Sequence, residues 1–119
     1  MGPELKKLVT APIGQGTLAE PAASAAGDNP VCGDRLRFQV ELDQGRIALL
    51  RFQATACPAC IAVASCAVEA LQGATIPAGP PYPGLRALVA QRGGLSRFEQ
   101  HALALVEEVL GRLLTVARD

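Results

Sequence analysis

The chain has 119 residues, enough for one domain that removes roughly two thirds of its unfolded surface from water. Half of it is hydrophobic, but the aromatic residues are only Phe38, Phe52, Tyr82 and Phe98, so Leu, Val, Ile and Ala must build the core. Lys plus Arg balances Asp plus Glu at 11 each, and no basic run with interleaved aromatics occurs, which argues against nucleic-acid binding.

No apolar run approaches the roughly 18 residues of a membrane span, and the start, Met-Gly-Pro-Glu-Leu-Lys-Lys, leads into no signal-peptide hydrophobic region. No membrane partner is therefore expected, and the reading is cytoplasmic. In that compartment four cysteines (Cys32, Cys57, Cys60 and Cys66) favour metal or redox chemistry over structural disulfides.

Pro3–Val9 reads as two helical turns with Leu5, Leu8 and Val9 on one side. Pro12, Gly14 and Gly16 make Ala11–Leu18 a loop. Ala22–Gly27 fits either a short edge strand or a lead-in. From Arg35 the pattern sharpens: Leu36, Phe38, Val40 and Leu42 alternate with Arg35, Arg37, Gln39 and Glu41, the period of a half-buried strand. Asp43-Gln44-Gly45 turns the chain. Arg46–Ala54 returns it, with Ala48, Leu50 and Phe52 expected on one face.

The second strand runs into Cys57-Pro58-Ala59-Cys60. Proline suits the first position of a helix, which makes Cys57 the N-cap of a helix over Pro58–Gln72 closed by Gly73. Four prolines mark Ala74–Gly84 as a loop, and Leu85–Gln91 as a short helix. Ser96 and Glu99 form a capping box for a last helix reaching about Ala117. Its apolar face is expected to comprise Phe98, Ala102, Leu105, Val106, Val109, Leu110, Leu113 and Leu114.

Three features carry chemistry. Cys57 and Cys60 open one helix and His101, the only histidine, lies near the start of another. The unpaired N–H groups there are expected to favour a Cys57 thiolate and a neutral His101. Cys32 sits in a Pro-Val-Cys-Gly-Asp loop before the first clear strand, with Asp34 two residues on. Blander readings stand beside these: a chance Cys pair in an Ala-rich helix, a surface histidine, an Asp34 that caps a turn. Cys66, half a helical turn out of phase with Cys57, reads as a small core residue.

Asn29-Pro30-Val31-Cys32-Gly33-Asp34, the hairpin, the junction Cys57 and Ile61-Ala62 in a small-residue helix together resemble the IscU/SufU/NifU N-terminal scaffold family. The match is close over residues 28–72 and weaker over 95–117. The resemblance implies an α+β fold of the SufE/NifU-like type: one domain over 1–119, a small antiparallel three-stranded sheet with a central hairpin, packed by helices, with a long C-terminal helix. It implies a carrier, not an enzyme, that assembles an iron–sulfur cluster, expected as [2Fe–2S]. Sulfur would come from a cysteine desulfurase, and the cluster would pass to acceptor apoproteins.

The resemblance carries ligands over to Cys32, Cys57 and His101, and Asp34, which matches by local motif, or Cys60 is expected as the fourth. The cysteine that should follow the histidine is Ala102, and Cys60, extra to the family pattern, is a candidate replacement. Leu95-Ser96-Arg97-Phe98-Glu99 stands where the IscU branch carries its chaperone motif Leu-Pro-Pro-Val-Lys. Two other readings use the same residues. Zinc on the Cys, His and Asp set would make a sulfur-acceptor protein of the same fold. Cys57-Pro58-Ala59-Cys60 as a redox dithiol is disfavoured because a hairpin, not a βαβ unit, precedes it.

Overall fold

The structure is a computed structural model that describes residues 1–30 and 33–118. Cys32 lies outside the described residues. Three antiparallel strands stand in the order β1 (Ala23–Asn29), β2 (Asp34–Asp43), β3 (Arg46–Thr55), so the small-residue stretch is indeed an edge strand. Around them pack α1 (Pro3–Thr10), α2 (Pro58–Leu71), α3 (Pro83–Gln91) and α4 (Gln100–Arg118), the last entered through a 3₁₀ turn over Arg97–Glu99. This is the expected α+β architecture with its long C-terminal helix.

The β2–β3 connection takes two residues, and both Gln44 (φ 52°) and Gly45 (φ 79°) adopt positive φ, as a tight hairpin with native twist requires. Leu36, Phe38 and Val40 point into the core, and Phe38 packs across the hairpin against Phe52 in a tilted pair with ring centroids 6.1 Å apart. One inward assignment changes. The pairing passes from Leu42 with Ile47 to Glu41 with Leu49, which leaves Ala48 as an extra residue. That bulge flips the phase of β3, so Ile47 is fully buried and Ala48 only partly so.

Helix α2 runs through the middle of the molecule. Ten of its 14 residues are buried, and its alanines let α1, α3, α4 and β3 all approach it. Gly14 is required beside it: a Cβ there would lie 2.6 Å from both Val68 methyls, at φ +81°. The Gly14–Gly16 segment extends the sheet, with the Phe52 N–H donating to Gly14 O and the Gly16 N–H to Phe52 O at 2.9 and 2.8 Å.

Helix α4 covers the inner face of β1 and β2. Its expected stripe is buried from Ala102 to Leu114, with one exception at the start: Phe98 is 88 % exposed. The 3₁₀ turn before Gln100 changes the angular phase, so the helical spacing does not extend back to Phe98. The stripe also contains a charge, Glu107, whose carboxylate accepts two bonds from Arg86 (2.6 and 3.1 Å) and one from the Tyr82 N–H (2.9 Å). This ties the proline-rich loop to α4.

Helix α4 comes close to the sheet at Gly27, where a Cβ would lie 2.7 Å from Val109 Cγ2. Gly27→Ala should therefore destabilise the chain by about 1–3 kcal/mol, measured by urea denaturation. Val109→Ala in the same chain should recover most of that loss. Additive losses in the double variant would contradict the packing account. Among the described residues no helix is long and apolar enough to cross a membrane.

Candidate metal centre

Three elements end at one place. Gly33 turns at φ +76° with its N–H on Asn29 O (2.7 Å), and Asp34 follows as the first residue of β2. Cys57 is the N-cap of α2, extended at φ −65° and ψ 157°, and Pro58 fixes the first helical position. His101 is the second residue of α4.

The Asp34 side chain is 3 % exposed, and its Oδ1 accepts the Cys57 N–H at 2.8 Å. Oδ2 is buried and has no hydrogen-bond partner. It faces His101 Nε2 at 3.5 Å, and that nitrogen lies 3.4 Å from Cys57 Sγ. One donor atom each from Asp34, Cys57 and His101 thus lies within 4.8 Å of the other two.

The histidine is oriented from behind. Its Nδ1 lies 2.7 Å from Phe98 O, and a carbonyl can only accept, so Nδ1 carries a hydrogen. In the neutral ring the lone pair is then on Nε2, turned into the site, an arrangement metal-binding histidines use. A carboxylate oxygen, an imidazole lone pair and a sulfur face one another, and a buried oxygen without a donor is costly. A cation at their centre removes that cost.

The Cys57 thiol corrects the sequence expectation. Its pKa is raised: burial contributes most, the Asp34 carboxylate adds to it, and N–H groups of Cys60 and Ala59 pull the other way without prevailing. The helix start therefore does not yield a free thiolate. A cation bound at this sulfur would have to displace the thiol proton.

Cys60 lies one turn further along α2, fully enclosed, and burial pushes its thiol up to about 12, with the charges of Cys57 and Asp34 adding to the effect. It is not in the converging group. Cys66 is also fully buried and receives an Arg92 hydrogen bond at 3.6 Å, which fits the core role read from its helical phase. Ala102, next to His101, is completely buried. The Phe98 carbonyl, which sets the tautomer, was not among the sequence candidates, because a backbone acceptor leaves no mark in residue type.

Comparison with known proteins decides what kind of molecule carries this site. The NifU-like N terminal domain family matches residues 4–111. The chain belongs to this family. Its relatives include two Archaeoglobus fulgidus proteins named as IscU iron–sulfur cluster assembly scaffolds. Each is 34 % identical over 87 residues, covering 72 % of this chain and 56 % of the relative. The chain thus spans little more than half the length of those relatives.

Solved structures show the same fold at low identity. A NifU-like N-terminal protein from Brucella abortus superposes with a TM-score of 0.75 at 16 % identity, over 98 % of this chain and 92 % of the other. A protein from Fervidobacterium islandicum, assigned to the SUF system as a cluster assembly scaffold, gives 0.73 at 15 % identity, over 96 % of both chains. The NifU-like family and its three-stranded sheet are therefore as the sequence resemblance implied.

Proposed function

We propose that this chain is an iron–sulfur cluster assembly scaffold. Iron and sulfide are its cargo, collected on Cys32, Asp34, Cys57 and His101 as a [2Fe–2S] cluster and passed to acceptor apoproteins. It acts in a thiol-preserving compartment such as the cytoplasm, as a carrier and not as an enzyme. The observation that carries the reading is the orphaned Asp34 Oδ2, buried and turned toward a thiol and an imidazole. Family membership and the names of the archaeal relatives support the identity of the cargo.

Sulfur would arrive as a persulfide from a cysteine desulfurase, with Cys57 as the accepting thiol, because Cys57 is half-buried whereas Cys60 and Cys66 are enclosed. Cys60 is left out of the ligand set for that reason. Imidazole and carboxylate are weaker partners for iron in a cluster than thiolates, which suits a cargo that must leave.

Anaerobic reconstitution with ferrous iron and inorganic sulfide, followed by visible absorbance, tests the reading. Cluster yield should fall for Cys32→Ala, Cys57→Ala and His101→Ala, and should persist for Cys60→Ala and Cys66→Ala. Equal yield from all five variants would refute it. A second reading takes support from the same geometry: one thiolate, one imidazole and one carboxylate also suit tetrahedral zinc. One zinc per chain after aerobic purification, with no colour on reconstitution, would favour a zinc-holding sulfur acceptor.

A further inference from the structure

We propose that Cys60 is an internal resolving thiol that converts a persulfide on Cys57 into free sulfide. The inference rests on the reading of Cys57 as the sulfur acceptor and adds a step to it. A persulfide delivers sulfur at the zero-valent level, whereas a cluster is built from sulfide, so two electrons must be supplied for each sulfur. In this chain the electrons have a local source.

Cys57 and Cys60 are separated by one helical turn, closed by the Cys60 N–H on Cys57 O at 3.0 Å. Helix geometry at that spacing puts the two Cα atoms about 5 Å apart. A disulfide spans roughly 4.4–6.8 Å between Cα atoms, so the spacing of the pair falls in the range a bond requires. Cys57 is partly exposed and can meet a donor protein, whereas Cys60 is fully enclosed and can reach no sulfur in solution. One thiol is placed to receive and the other to act only on its neighbour. Cys60 is also outside the group of converging donors, so this role does not compete with cargo binding.

The step balances. The Cys60 sulfur attacks Cys57 Sγ, the Cys57–Cys60 bond forms, and the bond from Cys57 Sγ to the outer sulfur breaks. The outer sulfur leaves as hydrosulfide and takes the proton from Cys60. Two thiol sulfurs are oxidised to the disulfide, and the sulfane sulfur gains the two electrons. An external dithiol reductant then restores the pair for another round.

Glutathione persulfide is the probe. The metal-free wild-type chain is loaded with it, freed of excess reagent, and held without reductant while sulfide release and intact mass are followed. Release of sulfide, with the chain ending two hydrogens lighter and a Cys57–Cys60 bond found by peptide mapping, is the expected result. Cys60→Ala should keep the extra sulfur and release sulfide at least tenfold more slowly, and Cys66→Ala should behave as wild type. Mapping in the wild-type chain keeps the test independent of how the variant folds.

Wild type that retains its extra sulfur, equal release from Cys60→Ala, or a Cys32–Cys57 bond would overturn the step and leave the scaffold reading intact. Failure of Cys57 to take up sulfur at all would remove the acceptor role and this step with it. Cluster yield from inorganic sulfide would still judge the ligand set separately.

Discussion

Asp34→Asn is expected to raise the melting temperature of the metal-free chain and to lower its affinity for Zn²⁺ by about a hundredfold. The two effects have opposite signs because the carboxylate serves the cation and burdens the empty fold. In the metal-free chain its Oδ2 is buried without a donor. A buried acceptor oxygen left without a donor costs about 1–3 kcal/mol. Asparagine retains an oxygen for the Cys57 N–H, the 2.8 Å bond that joins β2 to the start of α2.

The amide nitrogen then replaces Oδ2 at 3.5 Å from His101 Nε2 and supplies a donor for that lone pair. A gain near 1 kcal/mol would move the melting temperature by about 4–8 °C in a domain of this size. The same donor blocks the imidazole against metal, and a ligand charge is lost. If a structural zinc site gains roughly 10–16 kcal/mol from four ligands, one ligand's share is on the order of 3 kcal/mol. Thermal melts with and without Zn²⁺, and competition with a chromogenic chelator, measure both arms. A lower metal-free melting temperature together with unchanged affinity would mean that Asp34 is only a cap for the strand–helix junction.

A further consequence falls on Cys57. The Asp34 charge helps to raise its thiol, so Asp34→Asn should bring the Cys57 pKa down toward its ordinary value. Alkylation rates against pH would record the shift, and they do so without any metal in the sample.

The frame of the fold was legible because periodicity and capping are written in residue types. The alternation from Leu36 to Val40, the proline after Cys57 and the Ser96–Glu99 box each mark a feature that the structure contains. What escaped were features set by position. Ala48 and Ile47 exchange places through a one-residue bulge, and the alternating pattern of β3 alone does not announce it. Phe98 looked like the first residue of an apolar stripe, but the 3₁₀ turn rotates it into solvent.

Glu107 sits in the same stripe, buried, because Arg86 and the Tyr82 N–H come to it from another element. At the site, Asp34, Cys57 and His101 were legible as residue types and through family motif. Their balance of charge was not. Helix N-terminal N–H groups were expected to favour the thiolate, and burial beside a carboxylate outweighs them.

The metal-free chain should also lose stability steeply in alkali, and Cys60 should account for much of the loss. Its thiol is raised from 9.0 to about 12, by burial first and then by the charges of Cys57 and Asp34. The folded pKa lies above the unfolded one, so the folded state holds this proton more tightly. The resulting stability is fully present below pH 9 and drains away as pH rises from 9 toward 12. A shift of about three units corresponds to on the order of 4 kcal/mol.

Cys57, Cys66 and the Tyr82 hydroxyl are raised as well, so all four groups act in the same direction. Against a typical total of about 5–15 kcal/mol the loss is large. Urea denaturation at pH 8, 9.5 and 11 in the presence of a chelator measures it. Cys60→Ala should start lower, because a core sulfur is gone, and then decline much less steeply. Parallel decline of the two chains would place the alkaline sensitivity elsewhere and would deny Cys60 its enclosed environment. The enclosure has a chemical meaning too. A thiol that α2 holds protonated and out of solvent at neutral pH leaves Cys57 as the partly exposed sulfur of the pair.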